Sequence, residues 1–179
     1  QLAGMYLRRG VPAFDLGWLV AVGDFLLTGR RAHGGRTAPL CTRDELERAL
    51  RRRTGKRGVK ALVRALELVR VGADSPKESL LRVGLIEAGL PEPDIQVPVQ
   101  TSAGLRHSDL GYPAARLLLE YQGDHHRTDR KVWLDDLTRV QLFEDAGFHT
   151  ILIGDDDVHP DCRALAQRIR RRLTSARTR

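Results

Sequence analysis

Cysteine, aromatic residues and long apolar runs are all scarce in this sequence. Its two cysteines, Cys41 and Cys162, lie far apart and outside any C-x-x-C pattern, so neither a disulfide framework nor a zinc ribbon is indicated. We therefore expect a cytoplasmic protein without a disulfide-linked partner. No apolar run approaches the roughly 18 residues that a membrane span requires. The run over 16–22 is bounded by Asp15 and Asp24, so we expect no signal peptide and no membrane partner.

Positive charge is what the sequence has in excess. The formal net charge is +7 and the pI is about 10.1, and most of the cations are arginines, which bind phosphate groups in a bidentate manner. This balance favours DNA as the partner, although an Arg-rich composition is also typical of GC-rich genomes. The Arg-rich stretches 51–57 and 168–172 are either phosphate contacts or solvated helix ends.

The first part of the chain, residues 1–73, is predicted to be helical. Large apolar residues recur there at helical spacing and predict one buried helix face: Phe14, Trp18, Val22 and Phe25. Residues 29–39 are rich in Gly and Arg and predict a loop. The run T-R-D-E from Thr42 predicts a capping box at the start of a second helix, and a third is predicted over 59–71. Because the chain begins at Gln1, we expect this region to be a fragment of a larger domain.

A second domain is predicted over 74–179. It opens with a helix whose start, S-P-K-E from Ser75, has the serine cap, the proline and the glutamate of a capping box. The patterns that follow alternate between strands and helices. They predict three strands, a helix, a fourth strand and a last helix, over 95–99, 106–112, 116–122, 129–146, 148–153 and from 160 onward. The expected fold class is α/β, a small mixed sheet with helices on its faces.

Two carboxylates lie on either side of a predicted hairpin turn. The stretch 108–126 has the sequence S-D-L-G-Y-P-A-A-R-L-L-L-E-Y-Q-G-D-H-H, and its G-Y-P predicts a turn between antiparallel strands. This hairpin brings Asp109 beside Glu120, which ends an apolar strand. Carboxylates held together repel each other, and a divalent cation with oxygen ligands is the usual remedy. The pattern therefore predicts a metal site at this pair.

Three motifs in this part of the chain together resemble the PD-(D/E)XK nucleases. They are D-L-G-Y-P from Asp109, L-L-E-Y-Q-G-x-x-H over 118–126, and D-x-x-R at Asp136 and Arg139. More closely, they resemble actinobacterial proteins with a very-short-patch-repair-like endonuclease domain, over roughly residues 75–173. The resemblance implies a restriction-endonuclease-like αβββαβ core after an N-terminal helical region. It also implies DNA as substrate and Mg²⁺ as cofactor, with Mn²⁺ as a substitute.

The resemblance assigns a role to each residue of the hairpin's open end. Asp109, Glu120 and the backbone carbonyl of Tyr121 would hold the metal, which lowers the pKa of bound water and neutralises phosphate charge. Gln122 stands where the wider superfamily has Lys. Its amide can orient water or phosphate but brings no positive charge. His126 would act as a general acid or base or bind phosphate, or it is an ordinary loop histidine.

Four residues outside the hairpin's open end complete the predicted site. Glu78 is half of the capping box and, by the resemblance, also a residue that reaches the metal site. Arg139 forms a helical ion pair with Asp136 or, by the resemblance, supports the site and contacts DNA. Arg82 and Arg106 flank the site in sequence and are expected to contact DNA phosphates.

Two functions from different classes remain open. The first is a metal-dependent DNA endonuclease or nickase that hydrolyses phosphodiester bonds. The alternative is a catalytically weak or inactive nuclease-like module that binds DNA in a regulatory, toxin-antitoxin or defence protein. Gln122 favours the alternative, whereas the intact pair of Asp109 and Glu120 favours the enzyme. A homodimer is compatible with either function.

Overall fold

The chain forms two compact units, Gln1–Glu87 and Ala88–Arg179. They are seen in a computed structural model that describes residues 13–32, 35–53, 55–122, 130–158 and 161–177. The fold class is mixed α/β, as expected. The division after Glu87 comes later in the chain than the predicted boundary at 73–74, because the helix Pro76–Glu87 packs against the first helix.

The first unit is mainly helical. In chain order its elements are α1 (Ala13–Thr28), β1 (Arg31–Ala32), β2 (Gly35–Arg36), α2 (Arg43–Arg51), α3 (Val59–Leu68) and α4 (Pro76–Glu87). Its core contains Val20, Leu27, Ala65, Leu68, Val69 and Val83. The capping box of α2 is confirmed: Thr42 and Glu45 exchange backbone-to-side-chain hydrogen bonds, and these bonds lower the pKa of the Glu45 carboxyl. The short antiparallel pair β1–β2 lies where only a loop was expected.

The buried face of α1 differs from the predicted one. Trp18, Val22 and Phe25 are 40%, 53% and 45% exposed, so the prediction that they form the buried face is wrong. The Phe14 side chain lies outside the part that the structure describes. Small residues explain the difference: a Cβ atom at Gly17 would lie 2.7 Å from Leu80 Cδ2, and one at Gly23 would lie 2.3 Å from Val69 Cγ2. The helix therefore packs closely through its glycine face, and Trp18, Val22 and Phe25 are turned outward.

The second unit is a four-stranded sheet with helices. Its elements are β3 (Asp94–Thr101), β4 (Gly104–Tyr112), a 3₁₀ turn (Pro113–Ala115), β5 (Leu117–Tyr121), α5 (Arg130–Asp145), β6 (His149–Ile153), α6 (Asp155–Val158) and α7 (Arg163–Arg177). The strand order is β3-β4-β5-β6. Neighbours are antiparallel except β5 and β6, which are parallel and joined through α5. The predicted strands and long helices are all present, and α6 is an addition.

Arg116 joins the hairpin turn to the end of α5. Its guanidinium donates hydrogen bonds to the carbonyls of Ala146 and Gly147, at 2.5 and 2.6 Å, and lies 4.6 Å from the centre of the Phe148 ring. Gly147 has a φ of 81°, the left-handed helix cap that the sequence predicts. Arg116 therefore satisfies carbonyls that the end of a helix leaves without partners.

Two sequence expectations concern the cysteines and the membrane. Both cysteines are free thiols, and Cys162 is buried. Burial, with the nearby Asp161 carboxylate, raises the pKa of Cys162 to about 11. None of the helices in the described ranges has the length and apolar character needed to cross a bilayer.

Candidate metal and DNA site

The hairpin β4–β5 ends where the two carboxylates meet. The backbone pairing of the two strands at the open end reaches Leu110 and Leu119. Beyond this pair, the two strands are joined by hydrogen bonds between backbone N–H groups and side chains. The N–H of Asp109 donates to Glu120 Oε1 at 3.2 Å, and the N–H of Tyr121 donates to Asp109 Oδ2 at 2.9 Å. These crossed bonds hold the two carboxylates side by side, as the hairpin prediction requires.

Arg139 reaches this pair from α5. Its Nε donates to Glu120 Oε2 at 2.8 Å, and its Nη2 donates to the carbonyl of His107. The guanidinium carbon also lies 5.5 Å from the centre of the Phe143 ring. Glu120 is buried and Arg139 is half-buried, so the arginine supplies the positive charge that a buried carboxylate needs. Arg139 is therefore brought to the site as predicted.

The open end of β5 is fixed from its other side by β6 and α6. The N–H of Gln122 donates to the carbonyl of Ile153 at 2.7 Å, and the Tyr121 hydroxyl donates to Asp155. Gln122 therefore follows directly after the carboxylate pair, and its side chain is half-buried. His126 and the side chain of Asp136 lie outside the described residues.

The donors at this end fit a hard divalent cation. Mg²⁺ in proteins commonly takes one or two carboxylates and completes its shell with waters and substrate phosphates. Asp109 and Glu120 supply two such carboxylates, whereas zinc prefers nitrogen and sulfur ligands. Within the described ranges, no three His, Cys, Asp or Glu side chains are grouped so that they could hold a metal ion. Among the described residues, the ligands that this end offers a cation are the two carboxylates of this pair and backbone oxygen.

Glu78 belongs to the helical unit, at the start of α4. Its Oε2 accepts a hydrogen bond from the N–H of Asp74 at 2.9 Å, and its own N–H donates to Ser75 Oγ at 3.3 Å. The serine half of the predicted capping box is thus confirmed, whereas the buried Glu78 carboxylate bonds the N–H of Asp74, one residue before the cap. A role for Glu78 at the metal stays a prediction.

Arg82 requires a correction. It was expected to contact DNA, but its side chain is completely buried. Its Nη2 donates to Asp24 Oδ2 and its Nη1 to the carbonyl of Leu68, both at 2.8 Å. A phosphate cannot reach a guanidinium that is enclosed in the helical core, so Arg82 is a core residue in this structure. Arg106, by contrast, is exposed on β4.

The partner of Arg82 was missed by the sequence reasoning. Asp24 also accepts hydrogen bonds from Ser79 Oγ at 2.7 Å and from the N–H of Arg70 at 2.7 Å. A lone acid inside an apolar helical stretch was the available signal, since such a group is stable only with partners. Asp24 thus joins α1, α4 and the segment before α4.

The chain is similar to proteins from two strains of Mycobacterium tuberculosis, both described only as uncharacterized proteins. Each is 33% identical to it over 138 residues, which is 76% of this chain and 51% of the relative. The chain therefore spans about half the length of the curated relatives it matches. No protein-family model matches the chain, and no solved structure matches it.

Proposed function

We propose that the sheet unit is a magnesium-dependent DNA endonuclease or nickase. The observation that carries the proposal is the pair of carboxylates held side by side where β4 and β5 stop pairing. Such a pair is costly to maintain unless a cation offsets its charge. The net charge of +7 supports a polyanionic partner. A cytoplasmic location is part of this proposal.

Asp109, Glu120 and the Tyr121 carbonyl would hold the ion. When bound, a divalent cation lowers the pKa of a coordinated water and offsets the charge that develops on the phosphate. Two side chains of the protein would supply the remaining functions. Gln122 orients the attacking water or a phosphate oxygen through its amide, and His126 moves a proton to or from the reacting oxygens.

Two arginines beyond the pair complete the proposal. Arg106 and Arg139 bind DNA phosphates next to the metal site, because a guanidinium forms paired hydrogen bonds with phosphate oxygens.

Plasmid cleavage tests the proposal directly. Supercoiled DNA is incubated with the full chain with and without Mg²⁺ or Mn²⁺, and nicked and linear products are separated. We expect cleavage only with metal, and none from Asp109→Asn or Glu120→Gln. Asp156→Asn is the matched control, since it removes an exposed carboxylate of the same unit outside the site. Cleavage by Glu120→Gln at the wild-type rate would refute the proposal.

A DNA-binding module without turnover is the second candidate. Two observations favour it: Gln122 offers no positive charge, and Arg139 already neutralises Glu120 without a metal. A module of this kind would bind duplex DNA in a salt-dependent manner and leave plasmids intact with every divalent cation. The cleavage assay combined with a DNA-binding assay separates the two candidates.

A further inference from the structure

We propose that Arg139 is an exchangeable counter-ion of Glu120: it holds the carboxylate in the metal-free protein, yields to a divalent cation, and then binds a DNA phosphate. This inference rests on the proposed metal site. It makes Arg139 a positioning residue that couples metal binding to DNA binding, beyond the plain phosphate contact predicted from sequence.

Both carboxylate oxygens of Glu120 already have donors. Oε1 accepts the N–H of Asp109, and Oε2 accepts Nε of Arg139. A cation that coordinates Glu120 therefore competes with one of these two donors. Giving up the Asp109 bond would leave a backbone N–H without its partner at the point where the strands stop pairing, which is costly. Arg139 is half-buried and can turn to solvent, so Oε2 is the oxygen that is exchanged.

The anchoring of Arg139 allows this exchange. The side chain also contacts the His107 carbonyl and the Phe143 ring, and neither contact involves Glu120. A guanidinium that leaves Glu120 can therefore stay near the carboxylate pair. Its planar fork suits a phosphate as well as it suits a carboxylate.

The exchange makes the site more positive. A divalent cation adds two positive charges beside Asp109, Glu120 and Arg139, and this favours an approaching nucleic acid. Metal should thus strengthen DNA binding through Arg139, and by linkage DNA should strengthen metal binding by the same factor.

Calorimetric titration of Mn²⁺ into the full chain without DNA tests the first step. Arg139→Gln removes the competing cation and keeps a polar side chain, so it should bind Mn²⁺ about tenfold more tightly than wild type. Arg139→Lys keeps a positive charge on a shorter side chain, so its Mn²⁺ affinity should lie between those of wild type and Arg139→Gln. Arg171→Gln is the matched control: it removes an exposed arginine of the same unit and should leave Mn²⁺ affinity unchanged.

The coupling is tested by DNA affinity measured with and without Ca²⁺, an oxygen-binding divalent cation. Wild type should gain about tenfold in affinity on adding Ca²⁺, and Arg139→Gln should lose most of that gain, with partial rescue by Arg139→Lys. If Arg139→Gln binds Mn²⁺ no more tightly than wild type while Glu120→Gln loses binding, the counter-ion inference is overturned and the metal site stands. If Glu120→Gln binds Mn²⁺ like wild type, the proposed metal site itself is overturned.

Discussion

Two arginine–carboxylate pairs, one in each unit, have the same bond length and different surroundings. Arg82 and Asp24 in the helical unit lie 2.8 Å apart, with 0% and 1% of their side chains exposed. Arg139 and Glu120 in the sheet unit also lie 2.8 Å apart, but 35% of the arginine and 8% of the glutamate are exposed. The distance between the charges therefore does not distinguish a core pair from a candidate site.

What separates the pairs is the chemistry around each carboxylate. Asp24 receives three donors from the protein, a hydroxyl, a guanidinium and a backbone N–H. Glu120 shares its place with a second acid, Asp109, through the crossed bonds of the hairpin. In the first arrangement the protein itself supplies the donors to one carboxylate, whereas the second places two carboxylates together, an arrangement that a cation can stabilise.

The largest expected effect is on stability in the helical unit. Arg82→Met leaves the Asp24 charge enclosed without its cation, and breaking a buried pair in this way costs about 3–5 kcal/mol. Arg139→Met, the matched change in the sheet unit, should cost about 1 kcal/mol because its arginine is partly in water. Urea unfolding of both variants gives the comparison. Equal losses would show that the two pairs do not differ as their exposure suggests.

The next largest expected effect is on the rate of DNA cleavage, and it concerns Gln122. An oriented polar group at a reacting phosphate is commonly worth about 3 kcal/mol, roughly a hundredfold in rate. Gln122→Ala should therefore slow cleavage by about that factor, whereas Gln122→Lys should keep or raise it by adding the missing positive charge. Initial rates of plasmid nicking measure both. If none of these proteins cuts and all bind DNA equally, the binding module is the correct function.

Metal binding by Asp109 and Glu120 can be measured as a gain in the stability of the protein. At a cation concentration about a hundred times Kd, Mn²⁺ should stabilise wild type by about 2.7 kcal/mol, and the double variant Asp109→Asn, Glu120→Gln should gain nothing. Without metal, the double variant relieves the repulsion between the acids but gives up the ion pair with Arg139, so its stability should lie within about 1 kcal/mol of wild type. Thermal unfolding with and without Mn²⁺ gives both values. An equal metal shift in the two proteins would exclude the pair as ligands.

The smallest effect concerns Arg106, the exposed arginine that sequence grouped with Arg82. Arg106→Gln should reduce the slope of log affinity against log salt for duplex DNA by up to about one unit, because one phosphate contact is lost. Arg106→Lys keeps the positive charge and should therefore keep the wild-type slope. An unchanged slope in Arg106→Gln would place the DNA elsewhere, with the Arg-rich stretch 51–57 as the next surface to test.

The structural features that could be predicted from the sequence are those that depend on residues adjacent in the chain. The hairpin turn, the capping box at Thr42, the serine cap at Ser75 and the left-handed Gly147 all depend on a few adjacent residues, and all are present. The adjacency of Asp109 and Glu120 follows from that turn. Hydrophobic periodicity and the residue preferences of turns were therefore sufficient to predict these features.

The features that sequence missed depend on distant contacts. The buried face of α1 was assigned to its largest apolar residues, but Gly17 and Gly23 let α4 and Val69 approach the opposite side. Arg82 was placed at the DNA surface because it is basic, and only the position of Asp24 in space shows that it is a core residue. The family resemblance placed Arg139 at the site, but spacing along the chain does not show that its partner there is Glu120.

The turn at Pro113–Ala115 also has a consequence for the order in which the site assembles. A short hairpin closes within about 1–10 μs, so the two acids can meet as soon as β4 and β5 pair. Arg139 arrives only with α5, whose far end leads to the parallel pairing of β6, and non-local pairing of this kind is slow. The refolding chain should therefore pass through a stage in which the acids face each other without their counter-charge. Stopped-flow refolding should be faster for Asp109→Asn than for wild type at low salt, with the difference disappearing at high salt as the repulsion is screened.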